Sequence, residues 1–417
     1  MREAKEFQIK TQERQSYRSI ALIWAGSVVS VPALMVGGII GNGISLGWGL
    51  AGIVNGYLII CIYMSLMGME ACDTGMPTAM LAAGALGKKG AQYIISTILA
   101  VACIGWFGIQ AGVCGTAFAA MFENLTGIAM PAWLASVLWG IVMLTSACFR
   151  FDGLKKLNRV AVPFLFLVFL LALFSSFKNG DISSLHNYIP KEPIGYMDVV
   201  SLTVGHFAVG GAIAGDYCRF ARSRGDVVKS SFLGVMPAGI LVLLLGAVLF
   251  IVTGNYNISA VLEASGMPVL GLFALVLTSW TTNVANAYSG GLNLAILLNQ
   301  NEDKSRVITA VAGCLGTALA AMGILQELKL FLSLLTTFVP PLVGPVIAEY
   351  WICQRGQASQ FKLRPGFYAP GMIAFLAGAA TALLTKNTFF IGPINGIVVA
   401  VFVHLGLSKL KDMRTAG

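Results

Sequence analysis

The sequence predicts an all-α polytopic membrane protein with twelve transmembrane helices. Three observations carry that reading. Of 417 residues 57% are hydrophobic and only 11% charged, against about 25% charged in a soluble domain. Twelve apolar stretches are each long enough to span a bilayer: 19–40, 46–68, 91–122, 130–149, 160–178, 197–217, 229–253, 267–298, 306–323, 328–350, 366–385 and 389–408. With both termini placed in the cytoplasm, 23 of the 27 basic residues fall on the inner side. Only Lys178, Lys191, Lys329 and Lys386 fall outside. One helix too many or too few would scramble that asymmetry, so the positive-inside rule supports both the count and the orientation. The net charge of +9 needs no nucleic acid to explain it.

The N-terminal MREAKEFQIKTQERQSYR is charged ahead of the first apolar run and does not read as a cleavable signal. Residues 1–18 are expected as a cytoplasmic tail and 409–417 as a second one. The eight cysteines (61, 72, 103, 114, 148, 218, 314 and 353) are scattered through apolar runs without metal-ligand spacing. They read as small buried hydrophobes.

The first span carries Pro32 followed by Gly37, Gly38, Gly41 and Gly43, and the sixth carries Gly205, Gly210, Gly211 and Gly215. Helix breakers at membrane depth survive where backbone is buried in protein or lines a cavity. Breaks at matching places in two halves point to a binding site at the midplane of an inverted-repeat transporter. Spans one and six open two five-helix units, over residues 19–178 and 197–350, leaving two peripheral helices at 366–408. Close helix packing is the alternative use of the same glycines.

The eighth span carries TSWTTNVANAYS, Thr278–Ser289, in a run without an ionisable side chain. At 100° per residue Thr278, Thr281, Thr282, Ala285, Asn286 and Ser289 share an arc of roughly 140°, with Asn283 at its border. Such a face suits a small polar ligand or a dehydrated cation, and equally a hydrogen-bonded helix interface.

An enzyme would need a nucleophile–base set or metal ligands, and the three histidines (186, 206 and 404) are far apart in sequence. A channel would be expected to show rings of charge or filter repeats. Neither pattern is present.

Several strings together resemble the nucleobase–cation symporter family, which includes cytosine permeases and hydantoin transporters. They are DTGMPTAMLAAGALGKKG (73–90), GWFGIQAG (105–112), GGAIAGDYCRFAR (210–222), SWTTNVANAYSGGL (279–292) and PPLVGPVIAEYW (340–351). Their order matches that family over nearly the whole chain, nearest to the purine–cytosine permease branch. The resemblance implies a leucine-transporter-like 5+5 inverted repeat plus two peripheral helices. It also implies alternating access and cation-coupled uptake of a nucleobase or related small planar heterocycle. The expected partners are that solute and the lipid bilayer, with a monomer as the functional unit, no organic cofactor, and a bacterial inner membrane as the setting.

The resemblance puts Trp106 under a planar base, a role an indole face fills by stacking. Phe207 matches the second aromatic. Gln110 lies one turn beyond Trp106 on the same face, where hydantoin-type members also carry glutamine. Val209 stands where cytosine permeases tend to have serine, so cytosine itself is disfavoured as substrate. Asn283 and Asn286 are the remaining amides able to read a ring edge. For Na+, the family pattern implies carbonyls at Ser27, Ser30 and Thr278 and side-chain oxygens at Thr281 and Thr282. H+ is the other candidate coupling ion, and His206 is the nearest titratable group. Asp216 and Arg219 are expected to form a local ion pair at the cytoplasmic end of span six. Glu70, Asp73 and Glu349 read as structural or gate-associated.

Overall fold

The computed structural model of the chain describes residues 8–147, 150–179, 185, 188–255, 267–301, 304–385 and 390–416. Arg2, Lys5, Cys148, His186 and Lys386 lie outside the described residues. Among those described the chain is helical throughout. The nearest approach to a sheet is one isolated bridge between Gln15 and Ala221.

The first hydrophobic stretch forms two helices, α1 (Tyr17–Val28) and α2 (Val31–Gly43), bent by 62° at the break between them. Proline explains where the bend falls. In the first turn of a helix its missing N–H costs nothing, so Pro32 opens α2 rather than kinking its interior. Ser30, extended at φ −148°, caps the new helix by accepting a bond from the Ala33 amide.

Then follow α3 (Leu46–Thr74), α4 (Thr78–Leu86), α5 (Lys88–Thr126), α6 (Ala132–Ala147) and α7 (Arg150–Asn179). The sixth stretch is split into α8 (Tyr196–His206), α9 (Ala208–Ala212) and α10 (Ala214–Cys218). The remaining elements are α11 (Arg224–Thr253), α12 (Pro268–Leu297), α13 (Ser305–Ala321), α14 (Leu328–Ile347), α15 (Ala369–Leu384) and α16 (Gly392–Ala416).

Among the described residues seven helices are long and apolar enough to cross a membrane, or eight if the bent α1–α2 pair counts as one span. Three shorter apolar helices lie within α6, α13 and α15. The chain is a multi-pass membrane protein.

The break in the sixth stretch does not fall at its glycines. Helical geometry lapses at Phe207 (φ −116°, ψ 18°) and Ile213 (φ −80°, ψ 14°). Tyr63 of α3 donates its hydroxyl to the Ala208 carbonyl (3.4 Å) beside the first lapse. The glycines serve packing instead, because a Cβ at Gly211 would run into the Tyr63 ring. Close approach also explains the glycines of α2. A Cβ at Gly37 would meet the Leu243 backbone, and one at Gly246 the Leu34 backbone. Thus α2 and α11 touch backbone to backbone, as small residues allow between membrane helices.

Ahead of α1, residues 8–16 run as a strap over one end of the bundle. The Ile9 amide donates to Gly75 O (3.0 Å) and the Gln15 amide to Phe220 O (2.6 Å). Arg14 Nη1 donates to the carbonyls of Cys72 (2.8 Å) and Ala221 (2.6 Å). At the same end Asp73 pairs with Arg224 (2.7 Å), and Glu349 pairs with Arg364 (2.7 Å) and His404 (2.9 Å).

Candidate substrate and cation site

The α1–α2 break, the α8–α9–α10 segment, α5 and α12 converge on one internal cavity. Water centres have about 40 Å³ inside it, room for roughly three ordered waters. Of the residues expected in a substrate or cation site, Trp106, Gln110, Phe207, Asn286, Ser27, Ser30 and Thr282 line it. Asn283, Thr278 and Thr281 do not.

The aromatic walls are braced from behind. Phe331 meets Trp106 edge-on at 5.6 Å between ring centroids, and Trp24 meets Phe207 edge-on at 6.2 Å. Trp24 in turn packs on Tyr217 at 4.8 Å. T-shaped contacts of this kind hold each ring in one orientation beside the cavity.

The polar atoms around this cavity are unusual. Gln110 is 1% exposed, yet neither its amide nitrogen nor its oxygen has a hydrogen-bond partner. The Trp24 indole N–H and His206 Nε2 are also buried and unpartnered, and both residues line the cavity. Buried polar groups are normally satisfied, and each exception calls for an explanation. Here four such atoms surround one space.

Asn283 lies behind the site. Its amide nitrogen donates to Phe107 O (3.0 Å), and its oxygen accepts from Asn286 Nδ2 (3.3 Å). Asn283 therefore orients Asn286 and does not itself reach the cavity. That bond leaves the Asn286 side-chain oxygen without a partner among the described residues.

Between α1 and α12 lies a nest of oxygens. Thr282 Oγ1 sits 3.4 Å from Gly26 O, 3.4 Å from Ser27 O, 3.2 Å from Val29 O and 3.1 Å from Thr278 O. One hydroxyl has one proton and can satisfy one of these acceptors. The last carbonyls of a helix lack intrahelical donors and carry its negative end. The break after α1 therefore aims several of them at one point on α12. Neutral oxygens gathered in this way suit a monovalent cation such as Na+. Thr278 takes part only through its carbonyl, because its hydroxyl donates to Leu275 O (2.8 Å). The Thr281 hydroxyl donates to the same Thr278 carbonyl (2.9 Å). The expected Ser30 carbonyl instead accepts from the Leu34 amide (3.2 Å), while the expected Ser27 and Thr278 carbonyls are joined around Thr282 by those of Gly26 and Val29.

Asp216 and Arg219, at the end of α10, are fully buried, and their bonds reach beyond a local pair. Asp216 Oδ1 accepts from the Thr78 amide at the start of α4 (3.0 Å), and Arg219 Nη2 donates to the Tyr288 hydroxyl (3.0 Å). Charged groups shielded from lipid in this way belong to the packing between α10, α4 and α12. Sequence reasoning missed Trp24 and Tyr217. Trp24 had a signal, since it stands three residues before Ser27 on the same face of α1. Tyr217 had none.

With this geometry in view, similarity to known proteins places the chain. Residues 8–408 match the family of permeases for cytosine/purines, uracil, thiamine and allantoin. The cytosine permease of Escherichia coli O157:H7 is 24% identical over 403 residues, covering 96% of this chain and 93% of that protein. The hydantoin permease of Microbacterium maritypicum is 22% identical over 421 residues, covering 93% and 84%. Among solved structures, the nucleobase-cation-symport-1 family transporter Mhp1, in a closed conformation with bromovinylhydantoin bound, superimposes with a TM-score of 0.85. It is 19% identical and covers 98% of this chain and 95% of its own. These relatives are transporters, not enzymes. A match over nearly the full length, on a chain whose broken helices meet around a buried cavity, makes this protein a member of the permease family for cytosine/purines, uracil, thiamine and allantoin.

Proposed function

We propose that this permease imports a nucleobase or a related small planar heterocycle by Na+ symport with alternating access. The observation that carries the proposal is the set of unpartnered buried atoms, Gln110 Nε2 and Oε1, Trp24 Nε1 and His206 Nε2, around one cavity. Left dry and empty, such groups cost about 1–3 kcal/mol each. A ligand with donors and acceptors on its ring edge would offset that cost. A cyclic amide edge complements Gln110, which offers one donor and one acceptor side by side. Trp106 and Phe207 would hold the ring faces. The small volume favours a free base over a nucleoside.

For the coupling ion, Thr282 Oγ1 and the carbonyls of Gly26, Ser27, Val29 and Thr278 would hold Na+. Its charge would tie α1 to α12 and so link the cation to the helix that carries Asn286. The remaining architecture follows the same reading. Twelve spans form repeats over 19–178 and 197–350 with two peripheral helices at 366–408. Both tails lie in the cytoplasm, at residues 1–18 and 409–417, and the protein acts as a monomer in a bacterial inner membrane. Residue Val209 in the cavity wall removes a hydroxyl that would favour cytosine.

The test is uptake of radiolabelled nucleobases and hydantoins into proteoliposomes under an imposed Na+ gradient. Accumulation that collapses when K+ replaces Na+ is the expected result. No uptake of any planar heterocycle would sink the substrate class. A second reading, H+-coupled transport of hydantoin- or allantoin-type or other small polar solutes, is favoured by His206 at the cavity wall. It predicts uptake that ignores Na+ and is abolished by a protonophore.

A further inference from the structure

A second cavity, far from the first in character, opens at the end of the bundle covered by the N-terminal strap. It offers about 630 Å³ and is lined by Arg14, Arg222 and Arg224, with Thr11, Gln12 and Ser223 between them. Three guanidiniums converge here from two chain segments. The one carboxylate among the lining residues, Asp73, is already engaged. It accepts from Arg224 Nε (2.9 Å) and Nη2 (2.7 Å) and from the Tyr350 hydroxyl (2.5 Å). Arg14 spends Nη1 on the Cys72 and Ala221 carbonyls. Arg222 makes no hydrogen bond or ion pair with any described residue. Two acids stand close by, Glu13 on the strap and Asp226 on α11. The Glu13 carboxylate accepts from the Lys10 amide (3.0 Å). Neither lines the cavity.

We propose that this cavity binds a phosphate group carried by a small molecule or a lipid. The chemistry argues for that anion over a carboxylate or chloride. Guanidinium forks match phosphate oxygens two at a time, and after Asp73 neutralises one cation two positive charges remain, enough for a phosphodiester of charge −1 or a phosphomonoester of charge near −2. The pocket is open on one side and leaves room for whatever group the phosphate is attached to. A headgroup of an anionic phospholipid and a soluble phosphate ester both meet the description. The bound phosphate would bridge Arg14 on the strap to Arg222, on the segment joining α10 to α11. It would thereby pin the strap across this end of the transporter and slow its opening. The site is independent of the substrate cavity and stands whatever solute is carried.

Purified protein in detergent is titrated with inorganic pyrophosphate at constant ionic strength, and the melting temperature is followed. Separately, the protein is placed in nanodiscs of phosphatidylcholine with or without phosphatidylglycerol. The expected result is a saturable rise with at least one phosphate source. Arg222→Gln should weaken it about tenfold or more, the effect of losing a charged hydrogen-bond pair. Arg222→Lys should retain part of it. A rise with pyrophosphate identifies a soluble ester, and a rise with phosphatidylglycerol alone identifies a headgroup. In zwitterionic phosphatidylcholine proteoliposomes with phosphate-free buffer Arg222→Gln should transport as the wild type does. Adding the stabilising phosphate source should slow the wild type only. If neither source produces a rise that depends on Arg222, the site is refuted.

Discussion

Gln110→Met is the most informative substitution in this protein, because the structure gives its two effects opposite signs. Methionine keeps the length and approximate volume of glutamine, so packing changes little. Gln110 is 1% exposed and both polar atoms of its amide lack protein partners. Each such atom costs about 1–3 kcal/mol, so removing both should leave the empty transporter as stable as the wild type or more so. With ligand present the same amide is expected to make a donor and an acceptor bond, worth about 0.5–1.5 kcal/mol each. Affinity should therefore fall roughly 10- to 100-fold. Thermal unfolding in detergent, with and without the best nucleobase or hydantoin, reads both quantities on one sample. The expected pattern is an unliganded melting temperature at or above the wild-type value and a ligand-induced shift that nearly disappears. A lowered unliganded melting temperature with ligand affinity intact would show that Gln110 is a packing residue, and the reading of the cavity would fail with it.

Other substitutions separate neighbouring roles. Thr282→Val removes the hydroxyl at the centre of four carbonyls and should raise the Na+ concentration needed for half-maximal uptake about tenfold or more, whereas Thr278→Val should leave it unchanged because that hydroxyl is tied to Leu275. Equal effects of the two would refute the assignment. Trp106→Ala should abolish detectable ligand binding while Trp106→Phe keeps part of it, since a face for stacking is what the site requires; binding by isothermal calorimetry decides. Gly37→Ala would push a Cβ onto the Leu243 backbone and should destabilise the fold by about 1–3 kcal/mol, seen as a lower melting temperature with ligand affinity per folded molecule unaltered.

How far these roles were legible varied with the residue. Pro32 marked the bend between α1 and α2 because a proline constrains its own backbone wherever it stands. The polar stripe on α12 was visible from helical periodicity. Its division of labour was not. Thr278, Thr281 and Thr282 are the same type of residue on the same face. Only Thr282 is met by carbonyls from a helix more than 250 residues away in sequence. Asn283 and Asn286 looked equivalent until the Phe107 carbonyl was seen to occupy the first. The glycines of the sixth stretch suggested a break, and there is one. It falls at Phe207 and Ile213, while Gly211 makes room for Tyr63. The strap through Arg14 escaped notice because nothing periodic marks it, and Trp24 was passed over although it lies one turn before Ser27 on α1.

Composition, apolar stretches and basic asymmetry were enough to predict a multi-pass helical protein. The bilayer imposes its demand on each segment separately: every crossing must be apolar and must satisfy its own backbone. The quoted motifs placed the family as well. Which polar atom stays unpaired, which carbonyl loses its donor and which arginines share a cavity depend on contacts between segments remote in sequence. Hydrogen bonds are short and directional, so partners are assigned by the packed fold alone. That is why the unpaired amide of Gln110 and the four carbonyls around the Thr282 hydroxyl came to light only once α1, α5 and α12 were brought together.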